Sequence, residues 1–268
     1  MSEISELIEA CAEAARRGGA VLRAAFGGQR SIRYKGGIDL VTDADHASEA
    51  VILEFLRGRF PAAGILAEES GASAGEAGGL RFVVDPLDGT TNYAHGLPHF
   101  AVNVGVEDAA GVAAGATYDP TRDELFLAGR GLGATLNGQP VRVSERDELR
   151  RALLCTGFPY DVHEHPDPPL QLFGAYLRRA RAVRRMGSAA LDLAYVACGR
   201  FDGFWEVKLK AWDVAPGVLL VREAGGAVSD FAGGDAMVER AEICAGNARI
   251  HPQLMQVLNE CARQAPPP

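Results

Sequence analysis

The chain has 268 residues, with 27 Lys or Arg and 35 Asp or Glu, so its formal net charge at pH 7 is −8. Hydrophobic residues make up 47% and charged residues 23%, the composition of a folded globular protein, and the excess of acids disfavours nucleic acid as a partner. No apolar run approaches the roughly 20 residues of a membrane span, and the amino terminus lacks the pattern of a secretory signal. We therefore expect a cytoplasmic protein without a membrane partner.

Two helices are predicted at the start of the chain. Apolar residues at helical spacing predict a long amphipathic helix over residues 4–26, which two glycines end. A second helix is predicted over residues 44–60, and Pro61 ends it because proline cannot continue a helix.

The middle of the chain predicts an antiparallel sheet. Short β-rich runs occupy residues 101–106, 112–118 and 124–128, and Asn137-Gly138 is typical of a tight hairpin turn. These runs follow one another closely along the chain, so we expect sequential strands to be neighbours in the sheet.

Strands and helices alternate in the last part of the chain, which favours a layered α/β arrangement. The predicted strands cover residues 153–156 and 204–207, and the predicted helices cover 170–180, 188–198 and a segment after Trp212. We place the boundary between two lobes in the charged stretch at 145–150, which gives an amino-terminal α+β lobe (1–147) and a carboxyl-terminal α/β lobe (148–268).

An apolar strand that leads into two acids is the strongest signal of a functional site. Asp85 and Asp88 are separated by Pro86-Leu87, so we expect the chain to turn and both carboxylates to face one place. Two close carboxylates need a cation or a proton, and oxygen ligands suit Mg²⁺. The following Gly89-Thr90-Thr91 turn would offer backbone N–H donors to a phosphate. The alternative is a plain Asp-Gly turn with Asp85 as a strand-end cap.

Three other acids each allow two interpretations. Glu68 follows an apolar strand and either reaches the same cation or is a solvated turn residue. Asp213 and Asp45 each stand near the start of a predicted helix and are either site residues or helix caps. The two residues between Asp85 and Asp88 differ from the Asp-x-Asp motif of haloacid dehalogenases, so no aspartyl-phosphate intermediate is expected.

Together these segments resemble the inositol monophosphatase family of magnesium-dependent, lithium-sensitive phosphatases. Five segments in the family's order carry the resemblance: Asp-Leu-Val-Thr-Asp-Ala-Asp at 39–45, Glu-Glu-Ser at 68–70, Asp-Pro-Leu-Asp-Gly-Thr-Thr-Asn at 85–92, Gly-Ser-Ala-Ala at 187–190 and Trp-Asp at 212–213. The resemblance implies an α+β fold, the layered αβαβα sandwich of the inositol monophosphatase and fructose-1,6-bisphosphatase type, and a homodimer.

The resemblance also implies two to three Mg²⁺ ions. Glu68, Asp85 and the Leu87 carbonyl would hold one ion, and Asp85, Asp88 and Asp213 would hold a second. Glu68 would in addition support a weaker third ion. The amino-terminal lobe would thus carry most of the metal ligands, and the carboxyl-terminal lobe would add Asp213.

Catalytic and substrate-binding residues follow from the same resemblance. The Thr90 hydroxyl, oriented by Asp45, would position or deprotonate the attacking water, and Glu68 would complete the catalytic group. Glu206 would accept hydrogen bonds from the hydroxyls of the substrate ring. The implied substrate-binding residues are Leu87, Gly89, Thr90, Gly187, Ser188, Ala189, Glu206 and Asp213.

Pro216 departs from the family's pattern, which usually has a small residue at this position. It follows Asp213 closely, so we expect it in the first turn of the helix, where a missing backbone donor costs little. The segment around Lys210 varies among relatives and leaves the choice of substrate open.

The predicted function is a Mg²⁺-dependent phosphomonoesterase that hydrolyses myo-inositol monophosphate or a similar polyol phosphate. Histidinol phosphate, fructose 1,6-bisphosphate and 3′-phosphoadenosine 5′-phosphate are alternative substrates with the same chemistry. A regulatory binding protein on the same scaffold is the alternative from another functional class.

Overall fold

The computed structural model describes residues 3–27, 32–34 and 40–264. Within these residues the helices are α1 (Glu3–Ala25), α2 (Asp43–Arg59), α3 (Thr90–Ala94), α4 (Asp167–Leu177), α5 (Ala189–Ala197), α6 (Ala211–Glu223), α7 (Met237–Arg240) and α8 (His251–Gln264). The strands are β1 (Ile32–Tyr34), β2 (Leu40–Thr42), β3 (Gly64–Ala67), β4 (Gly71–Ser73), β5 (Arg81–Asp88), β6 (Ala101–Asp108), β7 (Gly111–Asp119), β8 (Glu124–Gly129), β9 (Gly133–Leu136), β10 (Gln139–Pro140), β11 (Leu153–Thr156), β12 (Ala182–Arg184), β13 (Gly203–Val207), β14 (Gly226–Ser229) and β15 (Glu242–Asn247). Asp39, the first residue of the first motif, lies outside the described residues.

Two large sheets organise the molecule. The eight-stranded sheet has the order β10-β9-β8-β7-β6-β5-β3-β4, in which β3 and β5 are parallel and the other neighbours are antiparallel. The five-stranded sheet has the order β12-β11-β13-β15-β14, and β11 is parallel to both of its neighbours. The carboxyl ends of one parallel pair from each sheet, β3 with β5 and β11 with β13, meet at the same cavity.

Helices cover both faces of both sheets. Helices α1 and α2 pack on one face of the eight-stranded sheet, and α5 and α6 lie between the two sheets. Helices α4 and α8 pack on the outer face of the five-stranded sheet. Each layer buries an apolar face against the next, and the result is the predicted αβαβα sandwich. The predicted fold class is confirmed.

Most predicted elements are confirmed with small shifts of their ends. The helices predicted over 4–26 and 44–60 are α1 and α2, and the three β-rich runs are β6, β7 and β8. Asn137 and Gly138 connect β9 to β10 with positive φ angles of 49° and 77°, as a tight hairpin turn requires.

The prediction for α4 was wrong at its start. The helix begins at Asp167 instead of residue 170, because two prolines occupy its first positions. Proline suits these positions, where a backbone N–H has no partner within the helix.

The placement of Pro216 was also wrong. Pro216 lies inside α6, beyond its first turn, so the Trp212 carbonyl lacks the N–H that would normally donate to it. The Asn103 side chain takes the place of this donor, with its Nδ2 2.7 Å from the Trp212 carbonyl oxygen. The helix therefore survives the proline because a side chain of β6 satisfies the free carbonyl.

Two glycines make room for Pro216 on the sheet below. Gly105 and Gly115 are paired across β6 and β7. A Cβ added at Gly115 would lie 2.9 Å from Pro216 Cα, and one added at Gly105 would lie 3.2 Å from Pro216 Cγ. Helix α6 thus rests directly on the sheet backbone.

The proposed division of the chain at 147/148 falls between the strands of the two sheets. Strand β10 of the larger sheet ends at Pro140, and β11 of the smaller sheet begins at Leu153. Among the described residues, no helix is long and apolar enough to cross a membrane.

Candidate active site

The carboxyl ends of the parallel strands β3 and β5 bring the first two acids together. Glu68 directly follows β3, and its backbone N–H donates to the Val84 carbonyl at 3.1 Å, which continues the ladder between the two strands. Asp85 follows Val84 in β5. Strand pairing therefore places two carboxylates side by side at one edge of the sheet.

A bulge in β5 separates Asp85 from Asp88. The register between β5 and β6 shifts between these two residues, as the position of Pro86 predicted. Two hydrogen bonds hold the bulge: the Leu87 N–H donates to Asp85 Oδ1 at 2.9 Å, and Ser48 Oγ of α2 donates to the Pro86 carbonyl at 2.8 Å. The spacing of the two acids is thereby fixed from both sides.

Asp88 is held by the start of α5. Its Oδ2 accepts a hydrogen bond from Ser188 Oγ at 2.5 Å and another from the Ala190 N–H at 2.8 Å. Ser188 is also the N-cap of α5, accepting from the Leu191 N–H at 3.3 Å. An acid from the first half of the chain is thus fixed by a helix from the second half.

Asp213 lies in the first turn of α6. Its Oδ2 accepts from the Lys210 N–H at 2.6 Å, so Asp213 takes part in a capping box while Lys210 is the N-cap of the helix. Asn103 lies opposite Asp85 in the β5–β6 ladder, and its Nδ2 donates to the Asp213 carbonyl at 3.2 Å. The same asparagine that supports Pro216 therefore connects the strand of Asp85 to the helix of Asp213.

One cavity of about 360 Å³ collects these groups. All predicted site residues except Asp45 line it: Glu68, Asp85, Leu87, Asp88, Gly89, Thr90, Gly187, Ser188, Ala189, Glu206 and Asp213. Asp45 is buried behind the wall, with its Oδ1 3.4 Å from Thr90 Oγ1. Thr90 Oγ1 also donates to the Leu87 carbonyl at 3.0 Å.

Burial and mutual repulsion oppose ionisation of the acids. Burial, and then the neighbouring charge of Glu68, raises the pKa of Asp85 well above its ordinary value. Burial also raises the pKa of Asp88, although the Ser188 hydrogen bond opposes this shift. Burial and the charge of Asp88 raise the pKa of both Asp213 and Glu206 to about 8. Four carboxylates that line one cavity need positive charge if they are to ionise together.

The donor set fits a divalent cation. Within the described part of the chain, no three Asp, Glu, His or Cys side chains stand together as a preformed cation site. The carboxylates instead make the hydrogen bonds given above, and Asp85 and Glu68 share one with each other. An all-oxygen set of carboxylates and a carbonyl is the chemistry that Mg²⁺ prefers, and Mg²⁺ retains several waters, so it does not require a complete protein cage.

Gly89 allows the two lobes to meet at the cavity. Its φ of 92° lies in the left-handed region, and an added Cβ would lie 3.2 Å from the Gly187 carbonyl oxygen. Asn92 joins the same two segments, because its Nδ2 donates to the His99 and Met186 carbonyls, both at 2.9 Å. These contacts bring Gly187 to the cavity wall.

Sequence reasoning missed several residues that support the site. Ser48, Asn92 and Asn103 act on backbone carbonyls that are distant in the sequence, so their residue types alone gave no signal. Arg185 also lines the cavity, and its charge lowers the pKa of Asp88 and Glu206.

The loop before α4 forms part of the cavity mouth. Phe158 to Asp161 line the cavity, and the Asp161 carboxylate accepts a hydrogen bond from Lys208 Nζ. His163 and His165 in the same loop are exposed, as expected for a solvated segment.

The layered fold and the acid-rich cavity at the strand ends define the sugar-phosphatase class. The chain belongs to the inositol monophosphatase family, whose model matches residues 3–264.

Named relatives fall into two groups. The chain is 47% identical to the "Nus factor SuhB" of Escherichia coli (strain K12) over 216 residues, 81% of each protein. It is 42% identical to the "Inositol-1-monophosphatase" of Mesorhizobium japonicum over 258 residues, 96% of this chain and 97% of that protein.

Solved structures agree with the family assignment. The extragenic suppressor protein suhB from Bartonella henselae is 41% identical, with a TM-score of 0.91 over 95% of this chain and 99% of that one. The inositol monophosphatase from Anabaena is 43% identical, with a TM-score of 0.88 over 99% of this chain and 98% of that one.

Proposed function

We propose that this protein is a Mg²⁺-dependent phosphomonoesterase that hydrolyses myo-inositol monophosphate, or a similar polyol phosphate, to the alcohol and inorganic phosphate. The observation that carries the proposal is the convergence of Glu68, Asp85, Asp88 and Asp213 from separate elements on one cavity. The family assignment supports phosphatase chemistry. The residues of the cavity support separate roles in metal binding, in positioning the attacking water and in recognition of the alcohol.

Metal binding is assigned to the acid end of the cavity. Two to three Mg²⁺ ions would be held by Glu68, Asp85, Asp88, Asp213 and the Leu87 carbonyl. When bound, Mg²⁺ neutralises phosphate oxygens and lowers the pKa of the attacking water. The protein's part is to fix the ligands, which the bulge in β5 and the start of α5 do through the hydrogen bonds of Asp85 and Asp88.

Thr90 is assigned to the attacking water. Its hydroxyl lies between the Asp45 carboxylate and the Leu87 carbonyl. The hydroxyl can therefore accept a hydrogen bond from a water while it donates its own to one of these two groups. This arrangement positions the water and gives its proton a route away from the cavity. The backbone at Gly89 and Thr90 would hold the phosphate, with no covalent enzyme intermediate.

The alcohol part of the substrate is assigned to the cavity wall that the start of α5 and the end of β13 form. Gly187, Ser188 and Ala189 line that wall, and Glu206 offers a carboxylate to ring hydroxyls. Ser188 Oγ already donates to Asp88, so its contribution to the alcohol is limited to its remaining lone pairs and its backbone.

A panel of phosphate esters tests the proposal directly. Phosphate release should be measured from myo-inositol 1-phosphate, histidinol phosphate, fructose 1,6-bisphosphate and 3′-phosphoadenosine 5′-phosphate, with Mg²⁺, with EDTA and with added Li⁺. We expect release from the inositol phosphate that needs Mg²⁺ and falls with Li⁺. Faster release from one of the other esters would reassign the substrate. The homodimer and cytoplasmic location belong to the proposal and are tested by light scattering and by cell fractionation.

A regulatory binding protein on the same scaffold is the second candidate. Relatives named "Nus factor SuhB" favour it, because that name denotes a factor and not an enzyme. The complete set of acids at the cavity favours an enzyme. No phosphate release from any ester of the panel would favour the binding role over the phosphatase.

A further inference from the structure

We infer that Gly157 is a specificity-determining positioning residue: the absence of a side chain there leaves the space in which the Glu206 carboxylate lies. This inference rests on the proposed function, because it concerns how the cavity recognises the alcohol part of its substrate.

Strand pairing places the two residues side by side. Strands β11 and β13 are parallel, and Thr156 is the partner of Trp205 in their ladder. Thr156 Oγ1 also donates to the Trp205 carbonyl at 2.6 Å, which fixes the register at the carboxyl ends of the strands. Gly157, directly after β11, and Glu206, near the end of β13, each follow the paired residues Thr156 and Trp205, and both line the cavity.

The Glu206 carboxylate occupies the position that a side chain at 157 would need. A Cβ added to Gly157 would lie 2.0 Å from Oε1, 2.2 Å from Cδ and 2.3 Å from Oε2 of Glu206. These three atoms are the nearest neighbours of the added carbon, and all belong to the flexible end of one side chain. Any larger residue at 157 must therefore move the carboxylate.

Backbone conformation gives no other reason for glycine here. Gly157 is not among the described residues with positive φ, so alanine can adopt its backbone angles. The requirement for glycine comes from the carboxylate alone. A substitution at 157 should thus change the position of the Glu206 carboxylate without changing the stability of the fold.

The consequence concerns the choice of substrate. A buried carboxylate that accepts hydrogen bonds from hydroxyls discriminates strongly against substrates that lack them. If the carboxylate moves, the site loses its preference for a hydroxylated ring, while the acids at the other end of the cavity keep their positions. Gly157 therefore acts on selectivity through Glu206 and takes no part in the hydrolysis itself.

The test compares Gly157→Ala with the wild type on two esters, myo-inositol 1-phosphate and p-nitrophenyl phosphate, in Mg²⁺. We expect kcat/KM for the inositol ester to fall about 10- to 100-fold, as for loss of a hydrogen bond to a charged group, and kcat/KM for the aryl ester to change less than about 3-fold. Adding Gly157→Ala to Glu206→Ala should cause no further loss. A crystal structure of Gly157→Ala should show the Glu206 carboxylate displaced.

Gly58→Ala is the matched control, because a Cβ there meets nothing within 4 Å. If Gly157→Ala fails to fold, Glu206→Ala in the same chain should restore folding, since it removes the three clashing atoms. Four outcomes would each overturn the inference: failure of that rescue, unchanged selectivity of Gly157→Ala, an equal loss of kcat/KM on both esters, or a Glu206 carboxylate that has not moved. A wild type that hydrolyses neither ester overturns the proposed function as well, whereas a ring-selective wild type with an equally selective Gly157→Ala overturns only the role of Gly157.

Discussion

The two ends of the cavity are built by the same device and carry different chemistry. At one end the parallel strands β3 and β5 lead into Glu68 and Asp85, and at the other the parallel strands β11 and β13 lead into Gly157 and Glu206. The first end collects four acids, which suits cations and a phosphate. The second end pairs one acid with an empty position, which suits a neutral group with hydroxyls. The carboxyl ends of parallel strands therefore provide the location, and the residues at those ends decide the ligand.

The largest expected effect lies at the acid end. Asp88→Asn removes one charged ligand but keeps the hydrogen bonds from Ser188 and Ala190, so the fold should be retained. We expect kcat to fall by roughly 1,000-fold or more on both inositol phosphate and p-nitrophenyl phosphate, since the cations contribute several kcal/mol to the transition state. Initial rates of phosphate release measure the effect.

The exposed Asp235, with a side chain that is 83% accessible and paired with Arg222, gives the matched Asp→Asn control. Turnover of Asp88→Asn within a factor of ten of the wild type would contradict the assignment of Asp88 as a ligand.

Thermal unfolding sharpens the comparison between the two ends. Saturating Mg²⁺ should raise the Tm of the wild type by roughly 5 °C or more, because a ligand at 100 times its Kd stabilises the folded state by about 2.7 kcal/mol. Asp213→Asn should lose most of this shift, and Glu206→Gln should keep it. An equal ionic strength of NaCl controls for screening, and an equal loss in both variants would show that the ends are not distinct.

A side chain that connects the lobes gives an intermediate effect. Asn92→Ala leaves the His99 and Met186 carbonyls without their donor, so we expect the free energy of unfolding to fall by about 2 kcal/mol. Urea denaturation measures this change, with the exposed Asn259→Ala as control. A midpoint equal to that of the control would mean that Asn92 does not hold the lobes together.

The smallest effect concerns pH at the alcohol end. The folded-state pKa of Glu206 is raised to about 8 from its ordinary 4.5, by burial and by the charge of Asp88, so the folded state binds the extra proton between these values. Its contribution to stability is therefore present at low pH and lost as pH rises toward 8.

In EDTA, the Tm of the wild type should consequently fall more steeply from pH 5 to pH 8.5 than that of Glu206→Gln. The difference in unfolding free energy should be at least about 1 kcal/mol, since one unit of pKa shift corresponds to about 1.4 kcal/mol. Parallel profiles of the two proteins would exclude a shifted Glu206.

The acids could be predicted from the sequence because each stands at the end of an apolar strand or at the start of a helix. The fold could be predicted because the segments that contain these acids follow one another in the order typical of the family. Gly157 could not be connected to Glu206 in this way. Their contact depends on β11 and β13 being neighbours, although about fifty residues of chain separate the two strands.

The supporting asparagines were missed for a related reason. Asn92 and Asn103 bind carbonyl oxygens, which every residue has, so no pattern of residue types marks their partners. The location of Pro216 beyond the first turn of α6 was mispredicted for the same reason. The helix tolerates a proline there because of contacts with Asn103 and with two glycines of the sheet, which are distant in sequence. Local sequence patterns therefore predicted the helices, the strands and the acids of the site. The residues that hold those acids in place depend on contacts between distant parts of the chain and could not be predicted in this way.

The direct contact of α6 with the backbone of the sheet affects which substitutions in the interior can shift the site. With Gly105 and Gly115 beneath Pro216, no compressible side chain separates the helix from the sheet at that point. Exchanges among the aliphatic residues elsewhere in the interior can then accumulate without altering the height of Asp213 above Asp85.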